Sequence, residues 1–285
     1  MTRRAHRLVK RPLVLKLGGE LLEQPQDVQH VAEGIAALAS RAALVVVHGG
    51  GREIDAALAT AGIPKQQVDG LRVTDARTLD VVVAVLAGAI NTRLVAAVRK
   101  AGAKPVGLTG ADASVVTVRR ARPIASVAGP TVDLGLVGSP INNGAPTLVM
   151  DLLSRGYVPV VACLGATRQG EILNVNADTL ASHLAIQLGA QRLIIAGGTA
   201  GVLDTDGQTI TRLTSRAAGQ LIKTGTANRG MVAKLEACRA ALRKGVGDVV
   251  IANGRGVPFE ALAPGLPSRR AGARGPLPGC TQVVR

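Results

Sequence analysis

Leu13-Val14-Leu15-Lys16-Leu17-Gly18-Gly19 is a short apolar run interrupted by one lysine and closed by two glycines. Uninterrupted apolar character over about five residues, bounded by glycine, marks a strand covered on both faces. The same character returns at residues 43–47 (ALVVV), 105–108 (PVGL), 158–162 (VPVVA), 192–196 (RLIIA) and 248–252 (DVVIA). Between these runs the apolar residues switch to helical spacing, which predicts helices over 27–40, 52–61, 76–101, 146–155, 178–189, 215–223 and 231–244. Strands alternating with helices imply an α/β fold built on a mainly parallel sheet. Residues 112–145 depart from this rhythm. Their β-branched pieces, separated by Gly and Pro, read as hairpins that could cover a site. A second break falls near 160–175. Residues 254–285 hold eleven Gly or Pro in 32 positions and read as loops.

Composition narrows the class. Hydrophobic residues are 47% of the chain but aromatics only 1%, so the core must be aliphatic, with Tyr157 and Phe259 the only Tyr and Phe. Cys163, Cys238 and Cys280 show no CxxC spacing and suggest neither a disulfide framework nor a zinc site. No run of about 18 uncharged apolar residues stands out, and the first residues lead into a short strand instead of a secretory segment. A cytoplasmic protein that does not engage a membrane is expected. The net charge of +15 invites nucleic acid as a partner, but residues 1–11 contribute five of those charges and residues 254–285 four. With the body so much less basic and no aromatic platform for stacking bases, nucleic acid is not expected as a partner.

The motifs point to anion chemistry. Lys16 stands at the carboxyl end of a buried strand, the edge where ligands of open α/β sheets bind, and burying it is costly unless an anion pairs with it. Gly18 and Gly19 let backbone N–H groups approach phosphate oxygens. His48-Gly49-Gly50-Gly51 repeats the device at a strand-to-helix junction, where the helix dipole adds positive potential. Neither the dinucleotide fingerprint nor the P-loop pattern occurs. In Asn174-Val175-Asn176-Ala177-Asp178, Asn176 reads as a helix cap, and Asp178 is free to hold two cationic side chains. Lys234 falls within the opening turns of a further helix, where a cation opposes the dipole and a bound anion would justify it. Arg72 could clamp a carboxylate, or could be an ordinary surface arginine. Two glycine turns, two lysines and an organising acid, without an evident nucleophile or general base, suit phosphoryl transfer to an acceptor that is already an anion.

Taken in order and at their separations, LKLGGELL (15–22), VVVHGGGREID (45–55), GLRVTDA (70–76), NVNADTLA (174–181) and GMVAKL (230–235) resemble the acetylglutamate kinases of the amino acid kinase superfamily, over roughly residues 13–253. LGLVGSP and GYVPVV extend the similarity between them. The resemblance implies an open αβα sandwich with a mainly parallel central sheet. It divides the chain into a basic extension (1–12), an N-terminal lobe for the acyl substrate and dimerisation (13–170), a C-terminal ATP lobe (171–253) and a Gly/Pro/Arg-rich end (254–285).

By similarity, Lys16 and Lys234 stabilise the transferring phosphoryl group, Asp178 orients them, and Gly18 and Gly19 donate amides. Gly50, Gly51, Arg72 and Asn174 would bind N-acetyl-L-glutamate. ATP would lie along Gly198, Thr199, Gly201, Val202 and Leu203 and the turn Thr226, Ala227 and Asn228, with Mg²⁺ bridging its phosphates and no metal held by the protein itself. A homodimer without arginine inhibition is expected, because only about twelve residues precede the first strand. One departure stands out. Where the family usually places Ser or Thr and then Asp after the strand at 192–196, this chain has Gly197 and Gly198. Two alternatives stay open: a sister kinase acting on carrier-linked aminoadipate, and a ligand-binding regulator that keeps the fold without turnover.

Overall fold

The computed structural model describes residues 11–125, 129, 131–227, 229–264 and 279–285. Most of the basic extension, and Asn228, fall outside these. The leading apolar run forms β1 (Leu13–Leu17), buried at all five positions. It is followed by β2 (Leu44–His48), β3 (Pro105–Thr109), β4 (Val158–Ala162), β5 (Arg192–Gly197), β6 (Arg212–Thr214), β7 (Asp248–Asn253) and β8 (Cys280–Val284). These make one eight-stranded sheet in the order β6-β8-β7-β5-β1-β2-β4-β3. All neighbours run parallel except β7 and β8.

The chain lays β2 on one side of β1 and β5 on the other, so their carboxyl ends border a crevice where the strand order reverses. Register brings those ends level, Lys16 lying opposite Ile195 on one side and Val47 on the other. The sheet is continuous across the division expected near residue 170, because β1 pairs with β5 along its whole length.

Seven helices follow the sequence pattern closely: α1 (Pro25–Ala39), α2 (Gly51–Thr60), α3 (Ala76–Lys100), α4 (Thr147–Ser154), α5 (Ala177–Gln187), α6 (Ser215–Lys223) and α7 (Arg229–Arg243). In α1, Pro25 occupies the first turn, where its missing N–H costs nothing, and Val28, Val31, Ile35 and Leu38 turn one stripe to the core. The hairpins expected in 112–145 are present, Val118–Arg120 pairing with Gly138–Pro140 and Ile124–Ala125 with Thr131–Val132.

One feature corrects the sequence reading and another adds to it. The end of the chain is not all loop: Cys280–Val284 enters the sheet between β6 and β7, and within residues 265–278 nothing is described. And α3 is, by length and composition, apolar enough to cross a membrane. Its inner face, Val82, Leu86, Ile90, Leu94 and Val98, is buried in the core at i, i+4 spacing. Its middle, Ala84–Ile90, widens to a π-helical stretch. The outer face, including Ala84, Gly88, Ala89 and Ala96, is exposed although it carries no charge at those positions.

Candidate active site

Lys16 and Asp178 are both buried, at 6% and 5% exposure, and that burial decides the electrostatics. Lys16 is carried by β1, whose other side chains are all apolar. Asp178 enters from the first turn of α5, whose geometry is set by Asn176: its Oδ1 accepts the N–H groups of Asp178 and Thr179, both at 3.0 Å. The cap thus serves the acid, delivering its carboxylate to the strand end. Lys16 Nζ lies 2.9 Å from Asp178 Oδ1, and Lys234 Nζ, from the opening turns of α7, lies 3.6 Å from Oδ2. Burial alone would push the Asp178 carboxyl up, but the charges of Lys16 and then Lys234 outweigh it and hold it below the usual carboxylate range. For Lys16 burial alone would lower the ammonium; Asp178 reverses this, and the carboxylate of Glu20 adds to the effect. One buried carboxylate thus holds two ammonium groups at the wall of the same cavity.

The two glycine turns meet as one surface. A Cβ on Gly19 would stand 2.9 Å from the Gly50 Cα, and one on Gly50 would lie 2.1 Å from the Ile90 side chain, so both positions need glycine for space. Gly19 opens a short 3-10 turn and its N–H has no partner within that turn. Gly18 differs from expectation. Its N–H already donates to Ala196 O at 2.8 Å in the sheet, so it contributes an absent side chain and not an amide.

Beneath this surface His48 is fully buried and held neutral, burial pushing its pKa down to about 4. Asn91 Nδ2 donates to His48 Nε2 at 3.0 Å and to Val160 O at 3.0 Å. That assigns the proton to Nδ1, which faces Gly49 O at 3.2 Å and ties the glycine loop to β4 and α3. The Cys163 thiol, pushed up to about 12 by burial, donates to His48 O and is no nucleophile.

Lys16, Gly18, Gly19, Asp178 and Lys234 line one cavity of about 420 Å³, and Gly50, Gly51, Arg72 and Asn174 line it too. Arg72 is brought there by the hairpin Gln67–Val68 with Leu71–Arg72. Its Nη2 donates to Asp55, itself paired with Lys65, and to Gly51 O at 3.2 Å. Its Nη1 is buried with no hydrogen-bond partner among the described residues, a costly state unless a ligand supplies the acceptor. Asn174 Nδ2 donates to Thr74 Oγ1 at 3.2 Å, and Thr74 donates in turn to Arg72 O, so the two residues share a support.

The residues assigned to ATP by resemblance do not line that cavity. Gly198 N–H is taken by Glu20 Oε1 at 2.8 Å. Gly201 has φ +88°, and a Cβ there would lie 2.4 Å from Thr281 Oγ1, which accepts the Val202 N–H at 2.7 Å. Val202 is buried, so it fastens the loop to β8, whereas Leu203 is 46% exposed. Thr199 O accepts the Gly201 N–H at 2.8 Å. Thr226 Oγ1 meets Thr224 Oγ1 at 2.9 Å and Ala227 N–H donates to Leu221 O at 3.2 Å, shaping the turn that leads into α7. Asn228 lies outside the described residues.

Residues 11–253 match the amino acid kinase family. The acetylglutamate kinase of Sorangium cellulosum (strain So ce56) is 44% identical over 242 residues, which are 82% of this chain and 84% of that protein. That of Erythrobacter litoralis (strain HTCC2594) is 40% identical over 272 residues, 93% and 90% of the two chains. The chain belongs to the amino acid kinase family, among its acetylglutamate kinases. The fold agrees with a solved structure of N-acetylglutamate synthase from Neisseria gonorrhoeae, complexed with coenzyme A and N-acetyl-glutamate. The TM-score is 0.78 at 24% identity, over 96% of this chain and 59% of that one. As a member of the amino acid kinase family the chain is a phosphotransferase, and the family implies ATP as co-substrate. Sequence reasoning passed over three of its site residues: Glu20, Asp55 and Asn91. Glu20 and Asp55 stood inside the quoted motifs, but nothing in a sequence says which backbone amide or guanidinium a carboxylate will meet.

Proposed function

We propose that the chain transfers the γ-phosphoryl group of ATP to the side-chain carboxylate of N-acetyl-L-glutamate, giving N-acetyl-L-glutamyl 5-phosphate in arginine biosynthesis. The observation that carries this reading is the placement of Lys16 and Lys234 on the two oxygens of one buried aspartate. The acceptor is already an anion, so the protein need supply only alignment and charge neutralisation. A carboxylate oxygen of the substrate bonds to the γ-phosphorus as the bond to the β–γ bridging oxygen breaks, and ADP leaves with that oxygen. The two ammonium groups offset charge on the moving group, Asp178 fixes their spacing, and the Gly19 amide adds a donor. On the acceptor side, the orphaned Nη1 of Arg72 suits the α-carboxylate of acetylglutamate, with Asn174 and the Gly50–Gly51 backbone completing its pocket.

ATP enters from the β5 side, along the loop from Gly198 to Leu203 and the Thr226–Ala227 turn before α7. Mg²⁺ would accompany it and would supply charge neutralisation at its phosphates, with Glu20 the residue placed to hold it. The donor set fits a cation held mostly by phosphate oxygens: Glu20 has a carboxylate oxygen without a hydrogen-bond partner among the described residues.

Two copies pair through the exposed face of α3, where the small residues Ala84, Gly88, Ala89 and Ala96 would let two helices approach closely. The three buried free thiols suit a cytoplasmic enzyme.

Incubation with ATP, Mg²⁺ and acetylglutamate in the presence of hydroxylamine tests the reaction, because an acyl phosphate is trapped as a hydroxamate. Hydroxamate that depends on all three components supports the reading. None above background removes it, and product with an aminoadipate carrier alone moves the enzyme to the sister reaction.

A further inference from the structure

Glu20 reaches from the turn after β1 across to the end of β5. Its Oε1 accepts the Gly198 N–H at 2.8 Å, and a Cβ on Gly18 would lie only 2.4 Å from Oε2. Side chains on the far side would crowd it as well: a Cβ at Gly197 would be 3.0 Å from Oε1, and one at Gly198 would be 3.4 Å from Cγ. Glycines at 197 and 198, where an alcohol and an acid were expected, therefore open the space that Glu20 fills. An acid does stand beside Gly197 and Gly198, but it comes from the turn after β1.

Its backbone is anchored too. Arg255 donates to the Glu20 carbonyl oxygen and, through Nε, to Asp27 Oδ2 at 2.9 Å. The remaining carboxylate oxygen accepts no hydrogen bond from the described residues, and the side chain lines the cavity that holds Lys16 and Lys234. Of the other carboxylates lining that cavity, Asp178 is committed to the two lysines and Asp69 has a partner of its own. A polyphosphate brought beside a fixed carboxylate is repelled unless a cation lies between them. Magnesium is commonly held by one or two carboxylates together with phosphate oxygens.

We infer that Glu20 is a positioning residue for the nucleotide: hung from the Gly198 amide, its free oxygen takes the divalent cation carried by the nucleotide phosphates, directly or through a coordinated water. The inference rests on the kinase reading above and concerns the nucleotide half of that site.

Calorimetric titration of the full chain with ATP, with and without Mg²⁺, tests it on wild type, Glu20→Gln and Glu20→Ala. Glutamine keeps the shape and the acceptor for Gly198 and removes only the charge. In wild type, Mg²⁺ is expected to tighten ATP binding by tenfold or more. Both variants are expected to lose most of that gain while binding metal-free ATP at least as well as wild type. A Glu20→Gln protein that keeps the wild-type gain overturns the inference, whatever Glu20→Ala does, and leaves Glu20 as a strut between β1 and β5. Wild-type protein that binds no ATP under either condition fails differently, taking down the kinase reading and this inference with it.

Discussion

Lys16 Nζ lies 2.9 Å from Asp178 Oδ1, joining the central strand of the sheet to the first turn of α5. Lys234 meets the other oxygen of the same carboxylate at 3.6 Å and is the more accessible of the two lysines. Replacing Lys234 by Ala should lower kcat by about 10²–10³-fold, the loss typical of one donor to a developing charge, with far less effect on KM. Steady-state kinetics with both substrates decides. Equal changes in kcat and in both KM values would mean that Lys234 only helps to hold ground-state ligands.

Arg72 should behave in the opposite way. A charge-assisted contact is worth about 1.5–3 kcal/mol, so Arg72→Ala should raise the acetylglutamate KM by roughly 10–100-fold while kcat stays close to wild type. Because Asp55 holds the guanidinium, Asp55→Asn should move the same parameter by a smaller factor. An Arg72→Ala enzyme with an unaltered acetylglutamate KM would place the substrate elsewhere.

His48 gives the fold a pH dependence whose sign follows from its lowered pKa. In the folded chain it titrates at about 4, against 6.5 when unfolded. Between those values the unfolded chain takes up a proton that the folded chain refuses, so stability is full above pH 6.5 and falls as pH drops through the window. The shift corresponds to a loss of about 3 kcal/mol by the lower end. Asp178, whose carboxyl is depressed, loses its contribution only below the unfolded carboxylate range, so the two are separable. Urea unfolding at several pH values should show this slope in wild type and a flatter one in His48→Gln. Parallel slopes would contradict it.

The strands were legible because burial on both faces writes itself as an unbroken run of Val, Leu and Ile. Leu13–Leu17 and Val158–Ala162 match the expected limits, the other four expected strands differ by a residue or so at their ends, and Arg212–Thr214 was not expected. Cys280–Val284 escaped notice because five residues following a Gly/Pro-rich stretch carry too little pattern, and their partner, Asp248–Asn253, lies far back in the chain. At the site, Lys16 announced itself as a charge inside an apolar strand, and Lys234 as a cation at the wrong end of a helix. Glu20 gave no such sign. Its meaning depends on the empty space at Gly197 and Gly198, which only the fold brings beside it.

Gly50 combines backbone and packing roles, so it should resist even the smallest side chain. A Cβ there would fall 2.1 Å from Ile90 Cδ1, on a helix fixed in the core. Gly50→Ala should cost about 1–3 kcal/mol in denaturant unfolding and lower turnover by displacing the glycine turn. Wild-type stability and rate would show that the turn has room to yield.

The exposed apolar face of α3 makes dimerisation testable without touching the site. Ala84→Glu puts a charge at an exposed position on that face. In sedimentation experiments the wild type should run as a dimer and the variant as a monomer. A variant that still runs as a dimer would locate the contact on another surface.

The most direct test of the central claim is a crystal structure with ADP, a planar mimic of the transferring phosphoryl group and acetylglutamate. The expected result places the mimic between the two lysines, each Nζ about 3 Å from one of its equatorial atoms, with Asp178 still touching both. A mimic bound away from Lys16 and Lys234, or one contacting neither, would contradict it.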